Sequence, residues 1–249
     1  MLIAGIVLPM HAGAIEITIL YNNVPHEPDC ACSWGFACVV RTSEASILFD
    51  TGGEGAVLLQ NMERLGVDPA EIDYVVLSHR HGDHTGGVPA LLPRLKPLRW
   101  YIPAEFAERL RSSLQRAGHR VTAVDGPLRI CPGVFSTGQL GSAIREQSLI
   151  VESGAGLIVI TGCAHPGIVE ITAAARAQRD KNIHLILGGF HLGGCSEREI
   201  AAIVTRLKAL GVQRVAPSHC TGELAMRRFA EAWGAACIDS GCGARITIP

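Results

Sequence analysis

Apolar and polar positions alternate from Ile15 to Leu20 (Ile-Glu-Ile-Thr-Ile-Leu), the period of two that a half-buried strand imposes. The runs Ala37 to Arg41 and Ser46 to Asp50 read as a strand pair joined by the polar turn Thr42-Ser43-Glu44. From Gly55 to Leu65 the apolar residues fall at helical spacing, and Gly66 supplies a C-terminal stop. Asp68-Pro69-Ala70-Glu71 reads as a capped single turn that leads into the apolar strand Tyr74 to Leu77. The second half repeats the rhythm. Strands are predicted at Ser148 to Glu152, Leu157 to Thr161, Ile183 to Leu187, Arg214 to Ala216 and Arg245 to Ile248. Helices are predicted at Ile168 to Gln178, Glu197 to Leu210 and Glu223 to Trp233, the middle one opened by a capping box of Ser196 and Glu199. Strand pairs followed by helices in both halves, with no linker-like break, predict an α/β fold. Its form is two sheets face to face with helices outside, four layers in one domain over 1–249.

With 48% hydrophobic residues and a positive mean hydropathy, the chain can bury a sizeable core, and nothing in it is low-complexity. Lys and Arg (22) nearly balance Asp and Glu (23) and are scattered, which argues against nucleic acid as the partner while leaving room for a local phosphate pocket. No segment reaches the roughly 18–20 unbroken apolar residues of a membrane span, so no membrane partner is expected. Nine cysteines is an odd number without disulfide-scaffold spacing. Free thiols in a reducing, cytoplasmic setting are therefore expected. Residues Leu2 to Pro9 are apolar and Ala12-Gly13-Ala14 resembles a signal cleavage site, but no Lys or Arg precedes the run and the run is short. Residues 1–14 are read as a disordered or first-strand leader.

The densest chemistry is Ser78-His79-Arg80-His81-Gly82-Asp83-His84-Thr85-Gly86-Gly87, directly after the apolar strand. A loop at a strand end can turn three imidazoles and a carboxylate towards one point. His79 and His81 can converge on one metal ion, with Asp83 and His84 reaching a second a few ångströms away; imidazole and carboxylate suit Zn, Fe or Mn. Gly82, Gly86 and Gly87 are expected to give the loop its backbone freedom.

This His-x-His-x-Asp-His run resembles the signature of the metallo-β-lactamase superfamily, and the likeness extends over most of the chain. It implies a four-layer αββα sandwich and two divalent metal ions, most simply Zn. Leu48-Phe49-Asp50-Thr51-Gly52-Gly53 resembles the superfamily strand end whose Asp orients the metal-binding loop, so Asp50 is expected to accept a bond from a ligand imidazole or a loop amide. Ser218-His219-Cys220-Thr221-Gly222 resembles the segment carrying the last ligand, His219.

The middle of the pattern departs from the common one. Cys163, at the end of Leu157 to Gly162, stands where the superfamily has Asp or Cys, but the usual earlier His is replaced by Arg145-Glu146-Gln147. Either Glu146 coordinates instead or His165 swings into the vacancy. His165 is preferred, because imidazole is the usual ligand and Ala164-His165-Pro166 sits at the exposed strand end. Cys163 either bridges the metals as thiolate or sits just outside them. His191, flanked by glycines in Gly188-Gly189-Phe190-His191-Leu192-Gly193-Gly194, can serve as ligand, acid catalyst or substrate contact. Together with Trp34-Gly35-Phe36 these segments look like the branch similar to 7,8-dihydropterin-6-methyl-4-(β-D-ribofuranosyl)aminobenzene-5′-phosphate synthase.

The chemistry implied is metal-assisted work on a phosphorylated small molecule, either hydrolysis of a phosphoester or a pterin-type condensation with loss of pyrophosphate. Asp83 and His191 are the catalytic candidates. A metal-binding protein without catalysis, or a redox-active one with an incomplete dinuclear site, is the alternative. His26, His119 and His184 stand outside these constellations and are expected to be solvated or core groups.

Overall fold

The computed structural model describes residues 13–106 and 108–249; the N-terminal leader, but for its last two residues, lies outside them. The chain opens with the antiparallel strands β1 (Ile15–Asn22), β2 (Phe36–Arg41) and β3 (Ser46–Phe49). Helix α1 (Gly55–Arg64) and a 3-10 turn capped by Asp68 lead to β4 (Tyr74–Val76), which pairs in parallel with β3. Two short helices, α2 (Gly82–Thr85) and α3 (Val88–Leu91), precede the parallel additions β5 (Arg99–Pro103) and β6 (Arg120–Val124), joined through α4 (Glu108–Arg116).

The chain then builds a second sheet. Antiparallel β7 (Leu128–Cys131), β8 (Val134–Ser136), β9 (Leu149–Ser153) and β10 (Gly156–Thr161) are followed by α5 (Ile168–Arg179), β11 (Ile183–Gly189), α6 (Glu197–Ala209), β12 (Arg214–Ser218) and α7 (Glu223–Trp233). Finally β13 (Arg245–Ile248) returns to pair with β1. The sheet orders are β13-β1-β2-β3-β4-β5-β6 and β12-β11-β10-β9-β8-β7.

Three apolar layers hold the sheets and helices together. Between the sheets, Ile17, Ile19, Cys38 and Phe49 meet Val151, Ile158, Ile160 and Leu187. Outside the first sheet, Leu48, Val75 and Trp100 pack against Leu58, Leu91 and Leu114 from α1, α3 and α4. Outside the second, Val159, Ile186 and Val215 pack beneath Ile171, Ile200 and Phe229. Side chains alternate across each strand, so a sheet with apolar residues on both faces must be covered on both. The predicted four-layer αββα sandwich is observed.

The segment 92–136 carries β5 to β8 and α4, none of which is among the elements predicted from the sequence. Among the described residues no helix is long and apolar enough to cross a membrane.

The parallel strands gather the reactive side chains. β3 and β4 of one sheet and β10, β11 and β12 of the other end on the same side of the molecule, and each hands its chemistry-bearing residue to the loop beyond its C-terminal end.

Candidate metal centre

Asp50 follows β3 and is completely buried. Its Oδ1 accepts from the backbone N–H of Ser78 at 2.6 Å and its Oδ2 from the Ser78 hydroxyl at 2.7 Å. That same Oδ2 lies 2.7 Å from His84 Nδ1. One carboxylate thus fastens the first residue of the histidine loop and one of its imidazoles. The segment 82–85 is a helical turn rather than an irregular loop, and this corrects the expectation for its glycines. Gly86 and Gly87 have ordinary helical φ of −66° and −73°. They are required by close approach instead: a Cβ there would lie 2.0 Å from Gly53 O and 2.2 Å from Thr51 O.

The hydrogen-bond network assigns the histidine tautomers. Because the Ser78 hydroxyl donates to Asp50, it accepts from His79 Nδ1 at 2.9 Å, leaving His79 Nε2 as a bare lone pair. His84 Nδ1 donates to Asp50, so its Nε2 is also bare and faces Cys163 Sγ at 3.2 Å. Asn23 uses its amide N–H to reach His219 O at 3.2 Å, which turns its Oδ1 to His219 Nδ1 at 2.8 Å. His219 Nε2 is left buried with no hydrogen-bond partner.

Two donor sets result. In one, His79 Nε2 lies 3.1 Å from His81 Nδ1 and 3.3 Å from His165 Nε2. In the other, Asp83 Oδ2 lies 3.3 Å from His219 Nε2 and 3.6 Å from His84 Nε2. Cys163 stands between them, its sulfur within 4.8 Å of donors in both sets. Converging imidazole lone pairs repel one another and forgo solvent, and a buried acceptor without a donor is costly. Fixed tautomers, facing lone pairs and an orphaned nitrogen are the features a divalent cation resolves, so these donors fit one in each set.

The charges agree with that reading. Burial and the neighbouring imidazoles hold His79 far below its ordinary pKa, and burial with nearby His191 brings His165 down to about 4, so both rings are neutral lone-pair donors. Burial opposes ionisation of Asp83, but the neighbouring His219 and His84 outweigh it and keep the carboxyl well below its usual range. Burial likewise opposes charge on His84, but adjacent Asp50 prevails and raises its proton affinity, which makes Nε2 a stronger donor.

Glu146, a candidate ligand in the sequence, is used differently. Its Oε1 accepts from the N–H groups of Gly162, Cys163 and Ala164 at 3.0 Å each, and its Oε2 from that of His165 at 2.9 Å. It is fully buried and turned away from the donors, with Oε2 4.0 Å from His79 Nδ1. Its work is to hold the loop that presents Cys163 and His165. The structure therefore places His165, not Glu146, beside His79 and His81.

His191 is exposed at the mouth, its ring centroid 4.4 Å from that of His165, in contact with the Cys220 thiol. Trp34, a large apolar side chain left exposed (57%), lies at the same mouth with its ring centroid 4.8 Å from that of His219 and tilted 53° to it. Backbone strain collects here too. Asp50, Ala164, His191 and His219 adopt φ of 57°, 60°, 53° and 52°, a region that non-glycine residues seldom occupy.

Asn23 and Ser78 were given no role by the sequence reading. Asn23 carries no local signal, since its partner lies 196 residues away; Ser78 stands at the head of the histidine run, where the imidazoles overshadow it. His26, His119 and His184 lie apart from the centre, bonded to Asp239, Leu98 and Gln213.

The sequence profile of the metallo-β-lactamase superfamily matches residues 35–219. The 7,8-dihydropterin-6-methyl-4-(β-D-ribofuranosyl)aminobenzene-5′-phosphate synthase of Methanocaldococcus jannaschii is 28% identical over 230 residues, covering 74% of this chain and 78% of its own. The ribonuclease Z of Aeropyrum pernix is 30% identical over 125 residues, 45% of this chain and 38% of its own. Among solved structures, Tm1679, a metal-dependent hydrolase of the β-lactamase superfamily, superposes with a TM-score of 0.80 at 28% identity, covering 93% of this chain and 98% of that one. The chain belongs to the metallo-β-lactamase superfamily.

Proposed function

We propose that the protein is a cytoplasmic, single-domain enzyme that uses two divalent cations, Zn in the simplest case, to hydrolyse a phosphoester of a small molecule. The observation that carries this is the pair of donor sets, His79/His81/His165 and Asp83/His84/His219, facing each other across Cys163 with inward lone pairs. Two cations so held would lower the pKa of water towards neutrality and neutralise charge on phosphate oxygens.

The chain's own groups supply the remainder. Asp83, kept ionised by His219 and His84, orients the attacking water through its carboxylate. His191 stands exposed at the mouth, and contact with the Cys220 thiol raises its pKa against the effect of burial. It is therefore the group placed to give a proton to the departing oxygen. Asp50 and Glu146 keep the donor loops in place from behind.

A second reading, condensation of a dihydropterin with loss of pyrophosphate, is favoured by Trp34, whose exposed indole offers a flat apolar face beside His219 for a planar ring. The M. jannaschii relative bearing a dihydropterin synthase name supports the same reading.

The test is a panel of phosphomonoesters, phosphodiesters, a dihydropterin pyrophosphate, lactones and β-lactams, assayed with the metal-loaded protein. Turnover of a phosphorylated compound, abolished in Asp83→Asn, is expected. Activity confined to lactones or β-lactams would overturn the substrate class, and full activity after metal removal would overturn the mechanism.

A further inference from the structure

Beyond the two donor sets, we infer a third position, one that takes a thiophilic divalent cation on Cys163, His191 and Cys220. It rests on the dinuclear reading in one respect: Cys163 is common to both. The three donor atoms lie within 4.8 Å of one another. They come from three adjacent parallel strands, each from the residues just beyond its C-terminal end: Cys163 after β10, His191 after β11 and Cys220 after β12.

The backbone is built to bring them together. A Cβ at Gly189 would stand 2.7 Å from Cys220 Sγ, 3.2 Å from Cys163 Cα and 2.5 Å from Gly162 O, so only glycine leaves the space in which the Cys220 sulfur meets Cys163. Phe190 N–H donates to Thr221 Oγ1 at 3.1 Å, pinning the residue before His191 to the turn that carries Cys220. His191 is held at φ 53°, a strained conformation that turns its ring over the pair. Of these three residues Cys163 also faces the dinuclear pair and His191 is the proposed acid, while Cys220 bears on phosphoester hydrolysis only through its contact with His191.

Two sulfurs and one imidazole are soft donors, and such sets select thiophilic ions over Mg or Ca. On binding, both thiols give up their protons to solvent, and the two thiolates with a neutral imidazole balance the double charge of the ion. Because His191 is exposed, the fourth position of a tetrahedral ion would face the open mouth. Filling this position takes the His191 nitrogen that otherwise carries the transferable proton and draws Cys163 away from the dinuclear pair. A thiophilic ion here would therefore silence the acid and weaken the neighbouring centre together.

The test is equilibrium dialysis of the full-length protein against Cd2+, with cadmium-113 NMR of the loaded protein. Wild type is expected to saturate at three ions per chain, one of them with the resonance of a two-sulfur site. Cys220→Ser and His191→Ala are each expected to saturate at two and to lose that resonance. His191 is exposed, so its variant reports even if Cys220→Ser folds poorly. Saturation of wild type at two, or retention of the third ion in both variants, would overturn the third position and leave the dinuclear reading standing. Saturation below two would overturn both.

Discussion

Asp50 shows how a single carboxylate sets the chemistry of groups it never shares with solvent. It takes the Nδ1 proton of His84 and the hydroxyl proton of Ser78, and through Ser78 it decides which nitrogen of His79 faces inward. In Asp50→Asn the amide NH2 must face either Ser78 N–H or the Ser78 hydroxyl and His84 Nδ1, which sets donor against donor and loosens the hold on the loop and its imidazoles. Groups in this position are worth about 10–100-fold in metal affinity. The expected result is a loss of that size in competition titrations against a chromophoric chelator, and unchanged affinity would count against the tautomer assignment.

Glu146 makes the parallel case for the loop 162–165. In Glu146→Gln the side-chain NH2 meets backbone N–H groups that now have an acceptor, leaving donors buried and unmatched. Hydrogen bonds to charged groups are worth up to about 3 kcal/mol, so a loss near that size is expected in denaturant unfolding. At this scale the sequence was legible where donors are contiguous, as from His79 to His84. It was silent where a partner is remote: nothing near Asn23 announces His219, and His165 stands beside His79 only because Glu146 folds the loop back.

At the scale of elements, legibility followed period and length. α6 declares itself by an apolar stripe and by Ser196 and Glu199, which do form the reciprocal capping box. Ser196→Ala is expected to cost about 1 kcal/mol in thermal or denaturant unfolding, with no change in metal affinity. By contrast α4 is polar nearly all round and fully buries Leu114 alone among its described side chains, β7 and β8 are only four and three residues long, and β5 ends in proline. β7, β8 and the end of β5 are held by their neighbours rather than by their own pattern, whereas in α4 Leu110 and Leu114 do mark one apolar face.

The corner between α4 and β6 carries a pH dependence of its own. His119 is buried there against Trp100, and its Nδ1 accepts from Leu98 N–H at 3.2 Å, which requires the neutral ring. Burial holds its pKa below the ordinary value of 6.5. The unfolded chain therefore takes up a proton that the folded chain refuses, and stability falls as pH drops below about 6.5 towards the lower folded pKa. In urea unfolding of metal-loaded protein between pH 7 and pH 5, wild type is expected to lose more stability than His119→Gln; equal losses would exclude His119 as the source.

On the scale of the whole molecule, the donor sets do what no strand pairing does, since the two sheets share no β-ladder. His79, His81, Asp83 and His84 come from the end of β4 in the first sheet, whereas His165 and His219 come from beyond β10 and β12 in the second. Across the core the sheets are held by non-directional apolar contact, to which Cys38, Val151 and Ile160 contribute, and by a few hydrogen bonds, from Gln147 to Leu77 O and Tyr101 O and from Tyr101 to Ile130 O. Each ion of the dinuclear pair would add a bond that crosses between them, and it can form only when both sheets are folded and facing. An ion that binds the native state alone stabilises it by mass action, about 4 kcal/mol when its free concentration is a thousand times its Kd. Chelation should therefore move the midpoint of one shared transition for both sheets, because neither can release its half of the centre without the other. The check is denaturant unfolding with and without chelator, monitored by Trp100 fluorescence in a variant lacking Trp34 and Trp233 and by far-ultraviolet circular dichroism. The expected outcome is a lower midpoint on chelation with the two signals still coincident. An unchanged midpoint would mean that no ion spans the sheets, and separate transitions would mean that the apolar layer between them is too weak to couple them without it.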